Sequence, residues 1–308
     1  MKLGAARAAV VVAAGVLLGA GVFLAAPFQT TLALRRATLR LGGVRRVRLD
    51  GGLLAWENDG CRPGRPCRCV ALIHGLGDSA LTWDKLLLDS RISGDGARLL
   101  APDMPGTDGS APPASPAGYG IRAQARTVRS ALEGVCPQWT VVGNSLGGWI
   151  SLWLALDWPQ GVRGLVLADA AGISDPSGRA EESARTLAAP TLANIKEFGR
   201  RARYRRIELP DRVWKAALAS ILSRPTGAIV ATLSRAELLD DRLGALKIPT
   251  SIVWGETDGI VPIEVGERMH RLIAGSRYRA VKECGHMPQI ECPDSIVGAL
   301  ADVAPAAP

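Results

Sequence analysis

The sequence predicts an α/β fold: a mostly parallel central sheet flanked by helices, with a helical cap inserted into it. Three observations carry this. Short β-branched apolar runs alternate with amphipathic stretches from Val44 onward. A glycine-flanked serine, Gly143-Asn144-Ser145-Leu146-Gly147, stands between one such run and a helical pattern. The alternation then stops over Ser174–Leu246, where helical patterns lack a convincing strand, and it resumes at Pro249. Strand–helix alternation implies parallel strands joined by right-handed crossovers.

At the amino end, Lys2 and Arg7 precede an uncharged run, Ala8–Ala26. Its length is near that needed to span a bilayer core. Leu24 and Pro27 are poor flanks for cleavage after Ala26, so an uncleaved signal anchor is favoured over a cleaved signal. A basic linker reaches residue 43. Its Arg35, Arg36 and Arg40, with Arg45, Arg46 and Arg48 beyond, oppose Lys2 and Arg7, so the positive-inside rule does not settle orientation. Thr30–Leu41 reads as a short basic helix on a membrane surface.

The main domain, in which strands and helices alternate, runs over 44–303. Val44–Leu49 and Leu53–Glu57 read as strands around the turn Asp50-Gly51-Gly52. Asn58–Pro66 is a loop. Cys69–Ile73 is a buried strand ending at His74-Gly75-Leu76-Gly77, followed by a helix from Ser79 that carries Leu81, Trp83 and Leu86. Arg98–Pro102 is a strand ending at Asp103-Met104-Pro105-Gly106. After a polar loop, Ile121–Glu133 is helical and Trp139–Val142 is a strand. Leu146–Trp158 is a helix with Trp149, Leu152, Trp153 and Leu156 on one face. Arg163–Ala168 is the next strand. Within the cap interval, about 174–246, Leu209-Pro210-Asp211 introduces a helix whose Trp214, Leu218 and Ile221 read as core. A strand at Pro249–Trp254, a helix at Ile263–Ile273, a strand at Tyr278–Val281 and a helix from Pro293 follow. Residues 304–308 form a frayed tail.

The 308 residues are 47% hydrophobic and 21% charged, enough apolar content for one domain with an insertion. The formal charge of +8 raises the question of nucleic acid, but no recognition motif accompanies it, and acidic lipid headgroups are the better partner for the amino-terminal arginines. Six cysteines without a catalytic or metal motif point away from a reducing compartment. Cys61 lies close in sequence to Cys67 and Cys69, and Cys284 and Cys292 flank one loop, so two local bridges are plausible. Cys67-Arg68-Cys69 has no second pair or histidines at zinc-like spacing, so no metal is expected. These clues place the main domain outside the cytoplasm, held by a single amino-terminal span.

Strand, glycine-flanked serine and helix form the context of a nucleophile elbow. The serine needs a base. Of three histidines, His270 sits on an amphipathic helix among charges and reads as surface, and His74 ends a buried strand. His286, in Glu283-Cys284-Gly285-His286-Met287-Pro288, sits on a tight loop after the last strand. The base needs an orienting carboxylate. Asp258 in Trp254-Gly255-Glu256-Thr257-Asp258-Gly259 is favoured, with Glu256 and Asp169 as alternatives.

Together, His74-Gly75-Leu76-Gly77, Asp103-Met104-Pro105-Gly106, Gly143–Gly147, Gly255–Asp258 and Gly285-His286 resemble the ordered signatures of the α/β-hydrolase superfamily. The resemblance implies the α/β-hydrolase fold, with Ser145 as nucleophile, His286 as base, Asp258 as orienter, and the backbone N–H groups of Leu76 and Leu146 as oxyanion hole. It implies no cofactor. Serine at the elbow speaks against the branches that use aspartate there. The apolar span, Gly-Asn-Ser-x-Gly-Gly at 143–148 and the Leu209-Pro210-Asp211 helix resemble membrane-anchored monoacylglycerol lipases and related serine esterases. The expected substrate is then a small lipophilic ester, with membrane lipid as partner. Carbon–carbon hydrolases acting on aromatic ring-cleavage products share the fold, triad and cap. A non-catalytic membrane-anchored binding protein is the reading from another class, opposed by the complete triad.

Overall fold

A computed structural model describes residues 26–94, 96–206 and 208–303. An eight-stranded sheet forms its centre: β1 (Arg45–Arg48), β2 (Leu54–Asp59), β3 (Arg68–Ile73), β4 (Ala97–Pro102), β5 (Trp139–Asn144), β6 (Val162–Ala168), β7 (Thr250–Gly255) and β8 (Arg277–Val281). Their spatial order is β1-β2-β4-β3-β5-β6-β7-β8. β1 and β2 pair antiparallel, as do β2 and β4; the remaining pairs are parallel. The chain leaves β3 toward β4 and returns on the other side as β5. The reversal opens a crevice beyond the carboxyl ends of β3 and β5, where open α/β sheets bind ligands.

Parallel strands covered on both faces need apolar side chains in both directions. Along β5, Trp139 and Val141 enter one core and Val142 the other; along β6, Leu165 and Leu167 oppose Val166 and Ala168. The first core lies under the helices Ile121–Glu133 and Leu146–Asp157. The second lies under Trp83, Leu86 and Leu87 and the last helix, Pro293–Val303. The helix expected from Ser79 is shorter than its apolar spacing implies. It is a 3₁₀ turn, Ala80–Trp83, and a single α-turn, Asp84–Leu87. The Ala80 N–H donates to Asp103 Oδ1 at 2.7 Å, which ties this segment to the end of β4.

All six cysteines are bridged: Cys61–Cys67, Cys69–Cys136 and Cys284–Cys292. Cys69 thus leaves the local cluster and ties β3 to the residues that follow the helix Ile121–Glu133. Between β6 and β7 the described residues form four α-helices, Arg179–Ala188, Leu192–Arg201, Asp211–Leu222 and Thr226–Thr232. The second begins in a capping box, in which Thr191 and Asn194 satisfy each other's backbone N–H.

The expected membrane arrangement is corrected. The run Ala8–Ala26 lies outside the described residues except for Ala26, as does the tail 304–308. Among the described residues no helix is long and apolar enough to cross a membrane. The reading of a single-span membrane protein with its catalytic domain outside the cytoplasm does not stand on this structure. The basic stretch expected on a membrane surface has another use. It forms the helix Pro27–Leu41, which packs against the helix Asp211–Leu222 and buries Leu39. The Arg35 guanidinium donates to Asp84 and, at 2.8 Å, to the Leu81 carbonyl, and Arg36 pairs with Asp108. Arg40 lies over the Trp56 ring, 5.9 Å from its centroid, so all three of the helix's arginines are engaged by the domain itself.

Candidate active site

Ser145 follows β5 at the sheet's crevice, with φ 55° and ψ −121°. A non-glycine residue rarely adopts such a conformation, and the surroundings hold it there. The Ser145 N–H donates to the Ala168 carbonyl, while its own carbonyl accepts from Gly148, Trp149 and Ala171. The turn tolerates only glycine on either side. A Cβ at Gly143 would lie 2.4 Å from the Gly147 carbonyl oxygen, and one at Gly147 would lie 2.2 Å from that of Ile73. The helix Leu146–Asp157 can therefore start directly against β3. As its first residue, Leu146 has an N–H without an intrahelical acceptor, at the positive end of the helix.

The loop after β3 faces this helix start. The Met104 N–H donates to His74 Nε2 at 3.0 Å, so Nδ1 carries the imidazole proton and donates to the Gly75 carbonyl at 2.9 Å. His74 thus serves as a brace for the Gly75-Leu76 backbone. The Leu76 N–H has no protein acceptor among the described residues.

His286 follows β8, and its Nδ1–H meets Asp258 Oδ2 at 2.7 Å; both side chains are buried. Asp258 Oδ1 accepts the N–H groups of Ile260 and Val261 at 2.7 and 3.1 Å. The loop of His286 is anchored from three directions. Its N–H donates to Ala202 of the cap at 2.8 Å, its carbonyl accepts from Asn144 Nδ2 at 3.0 Å, and the Cys284–Cys292 bridge closes the loop. Gln289 holds the other end of the Asn144 amide.

Ser145, His286, Leu76 and Leu146 line one cavity of about 540 Å³. Of the alternatives for the carboxylate, Glu256 is exposed and does not contact His286, whereas Asp169 is fully buried beside Asp258. His270 is exposed, with its Nδ1 on Ser276 and its ring stacked on Tyr278. Ile221, expected as core, lines the cavity instead, and no residue of its helix is fully buried.

Sequence reasoning missed three contributors. Phe28 reaches the cavity from the amino-terminal helix, Arg203 faces it from the end of the second cap helix, and Asn144 ties the elbow to the histidine loop. Asn144 stood inside the quoted motif, but its partner 142 residues away had no signal. Three arginines in the stretch 200–206 have different surroundings. Arg200 pairs with Glu197 and Arg201 with Glu182, while Arg203 turns inward.

Among the described residues, two groups have metal-ligand proximity. Cys67, Cys69 and Cys136 are bridged and have no thiolate to offer. Asp169, Asp258 and His286 lie with their ligand atoms within 4.8 Å of one another, but the Asp258–His286 hydrogen bond occupies the nearest lone pairs.

The chain is similar to known proteins. The chain is 29% identical over 241 residues to a 2-hydroxy-6-oxononadienedioate/2-hydroxy-6-oxononatrienedioate hydrolase of Klebsiella pneumoniae, a match covering 73% of this chain and 83% of that protein. Its structure resembles that of a membrane phospholipase A, with a TM-score of 0.72 and 23% identity over 97% of this chain and 96% of the other. It also resembles a meta-cleavage product hydrolase from Pseudomonas fluorescens IP01, with a TM-score of 0.69 and 22% identity over 84% of this chain and 96% of the other. At these identities the structural likeness speaks for the fold alone. The family model for the alpha/beta hydrolase fold matches residues 69–293, which span the sheet from β3, the elbow, the cap and the histidine loop. The chain belongs to the α/β-hydrolase family and is an enzyme that hydrolyses its substrate.

Proposed function

We propose that this hydrolase works by two-step acyl transfer. Ser145 Oγ attacks a carbonyl carbon, and His286 Nε2, the ring nitrogen not engaged by Asp258, takes its proton. Asp258 fixes the tautomer and stabilises the imidazolium. The N–H groups of Leu76 and Leu146 stabilise the oxyanion; losing one such donor costs ~10²–10³ in turnover. The departing fragment takes the proton from His286, and water releases the acyl group. The observation that carries this reading is the buried His286–Asp258 pair, whose His286 lines the same cavity as the elbow serine.

The bond we assign is a carbon–carbon bond next to a ketone, in an acidic ring-cleavage product. The sequence relatives support this over the ester expected from the apolar span, the Gly-Asn-Ser-x-Gly-Gly motif and the Leu209-Pro210-Asp211 helix. Arg203, a half-buried arginine that lines the cavity, is a ready partner for a substrate carboxylate. Ester hydrolysis is the second reading, favoured by the apolar side chains of Phe28, Leu187 and Ile221 around the same space.

Turnover of a 2-hydroxy-6-oxo-dienoate, a p-nitrophenyl ester and a monoacylglycerol should be compared on one preparation. The first reading expects kcat/KM for the dienoate to exceed the others, with a KM increase for that substrate alone in Arg203→Gln. Efficient cleavage of the esters with no dienoate turnover would transfer the assignment to the second.

A further inference from the structure

Asp169 follows β6 as Asp258 follows β7, and the two strands are neighbours. Asp169 is fully buried and has φ 45°, a left-handed conformation seldom taken without cause. Its N–H donates to the Val253 carbonyl at 3.0 Å, and its Oδ1 accepts the Gly255 N–H at 2.9 Å. Its Oδ2 is buried and accepts from no donor. Asp258 and His286 have their polar atoms within 4.8 Å of it. The other titratable groups around it are Glu291 and the Tyr278 hydroxyl, and among the described residues no lysine or arginine pairs with it.

A second ionised carboxylate there would face Asp258 without a cation and would leave one oxygen desolvated. A proton on that oxygen removes both costs, because the orphan acceptor becomes a donor. We propose that Asp169 is a positioning residue: a neutral carboxylic acid whose Oδ2–H donates to Asp258 and thereby tunes the Asp258–His286 pair. This rests on the triad reading above. Burial drives the Asp169 carboxyl well above the usual carboxylate range, and the neighbouring Asp258 charge pushes it the same way. Asp258 then has a donor on every side: two backbone N–H groups, the imidazole and the carboxylic acid. A neutral donor holds Asp258 in place and spreads its charge without adding a second negative charge beside His286.

Two variants separate a neutral donor from a charge. Asp169→Asn keeps an acceptor for Gly255 and an N–H for Asp258, and asparagine tolerates the left-handed backbone. Its kcat/KM on a p-nitrophenyl ester should stay within about threefold of wild type, and the acidic limb of the pH profile should not move. Asp169→Ala removes the donor. The Asp258 charge then concentrates on the imidazole, so the acidic limb should move up, with a loss of about 10–100-fold, as is usual for removed supporting hydrogen bonds.

An acidic limb lowered by about one unit or more in Asp169→Asn is the signature of a removed charge and would overturn the proposal. So would an Asp169→Ala profile superposed on wild type. Infrared difference spectra at pH 7 provide a readout independent of activity. The C=O stretch of a neutral carboxylic acid should be present in wild type and missing in Asp169→Asn; its absence from wild type sinks the proposal even if every variant is active. A wild-type protein with that band but no hydrolytic activity would instead remove the triad reading on which the tuning role rests, and that role with it.

Discussion

His286 Nδ1 meets Asp258 Oδ2 at 2.7 Å, while the other Asp258 oxygen is held by the Ile260 and Val261 N–H groups. A carboxylate fixed in this way permits one imidazole tautomer, with Nε2 free to act as base. Asp258→Asn would present an amide donor to the imidazole and favour the wrong tautomer. Its kcat should fall ~10⁴-fold, as in a comparable triad. Ser145→Ala and His286→Ala should each cost several orders of magnitude, and the double variant little more, because the residues act as a unit. Glu256→Gln and His270→Ala should be near neutral. Steady-state kinetics on one substrate checks the ranking, and a large loss in His270→Ala with retention in His286→Ala would refute it.

Phe28 brings the amino-terminal helix to the cavity wall. It lines the cavity from outside both the sheet and the cap. Truncating a buried aromatic contact removes apolar burial worth about 1.5–3 kcal/mol. Phe28→Ala should therefore raise KM about tenfold or more for substrates long enough to reach it, with little change for acetyl esters. Equal effects on short and long substrates would place Phe28 away from the bound substrate.

The three bridges should differ in worth. On the chain-entropy account, Cys69–Cys136, with a separation of 67 residues, stabilises by about 4 kcal/mol, and Cys284–Cys292, with a separation of 8, by about 2.5 kcal/mol. Urea unfolding of the paired alanine variants checks this. The shorter bridge should show its effect in turnover instead, because its loop carries His286. A Cys284→Ala/Cys292→Ala variant with wild-type kcat would contradict that coupling.

Acid should weaken the protein partly through Asp59. The hydrogen bond from Arg98, at 2.5 Å, holds its carboxyl below the usual range. A depressed folded value means that the unfolded chain binds the proton more tightly. The stabilisation is therefore complete above the unfolded value near 3.8 and fades as the pH falls through the lower folded one. Asp59→Asn should be less stable than wild type at pH 6, with the gap closing toward pH 3. A gap independent of pH would assign the loss to packing.

Much of this was legible in one dimension. The apolar runs of β3 to β7 and the chain order Ser145, Asp258, His286 follow from local pattern, because a buried parallel strand and a nucleophile turn each constrain contiguous residues. What escaped depends on sheet order. Asp169 and Asp258 meet only because β6 and β7 are adjacent, and Cys69 finds Cys136 only because the helix after β4 returns beneath β3. Phe28 and Ile221 have the spacing of ordinary core residues; that they face a cavity is a property of the assembled cap. The basic amino-terminal stretch misled for a related reason. Arginine density resembles a lipid-facing surface until Asp84 and Asp108, brought in from other elements, are seen to engage it.

The central claim is that Ser145 becomes covalently acylated with His286 as its base. Intact-mass analysis after treatment with a fluorophosphonate, followed by peptide mapping, tests it most directly. The account predicts a single adduct, located on Ser145, absent from Ser145→Ala and formed orders of magnitude more slowly in His286→Ala. An unmodified wild-type protein, or an adduct on another residue that persists in Ser145→Ala, would contradict it.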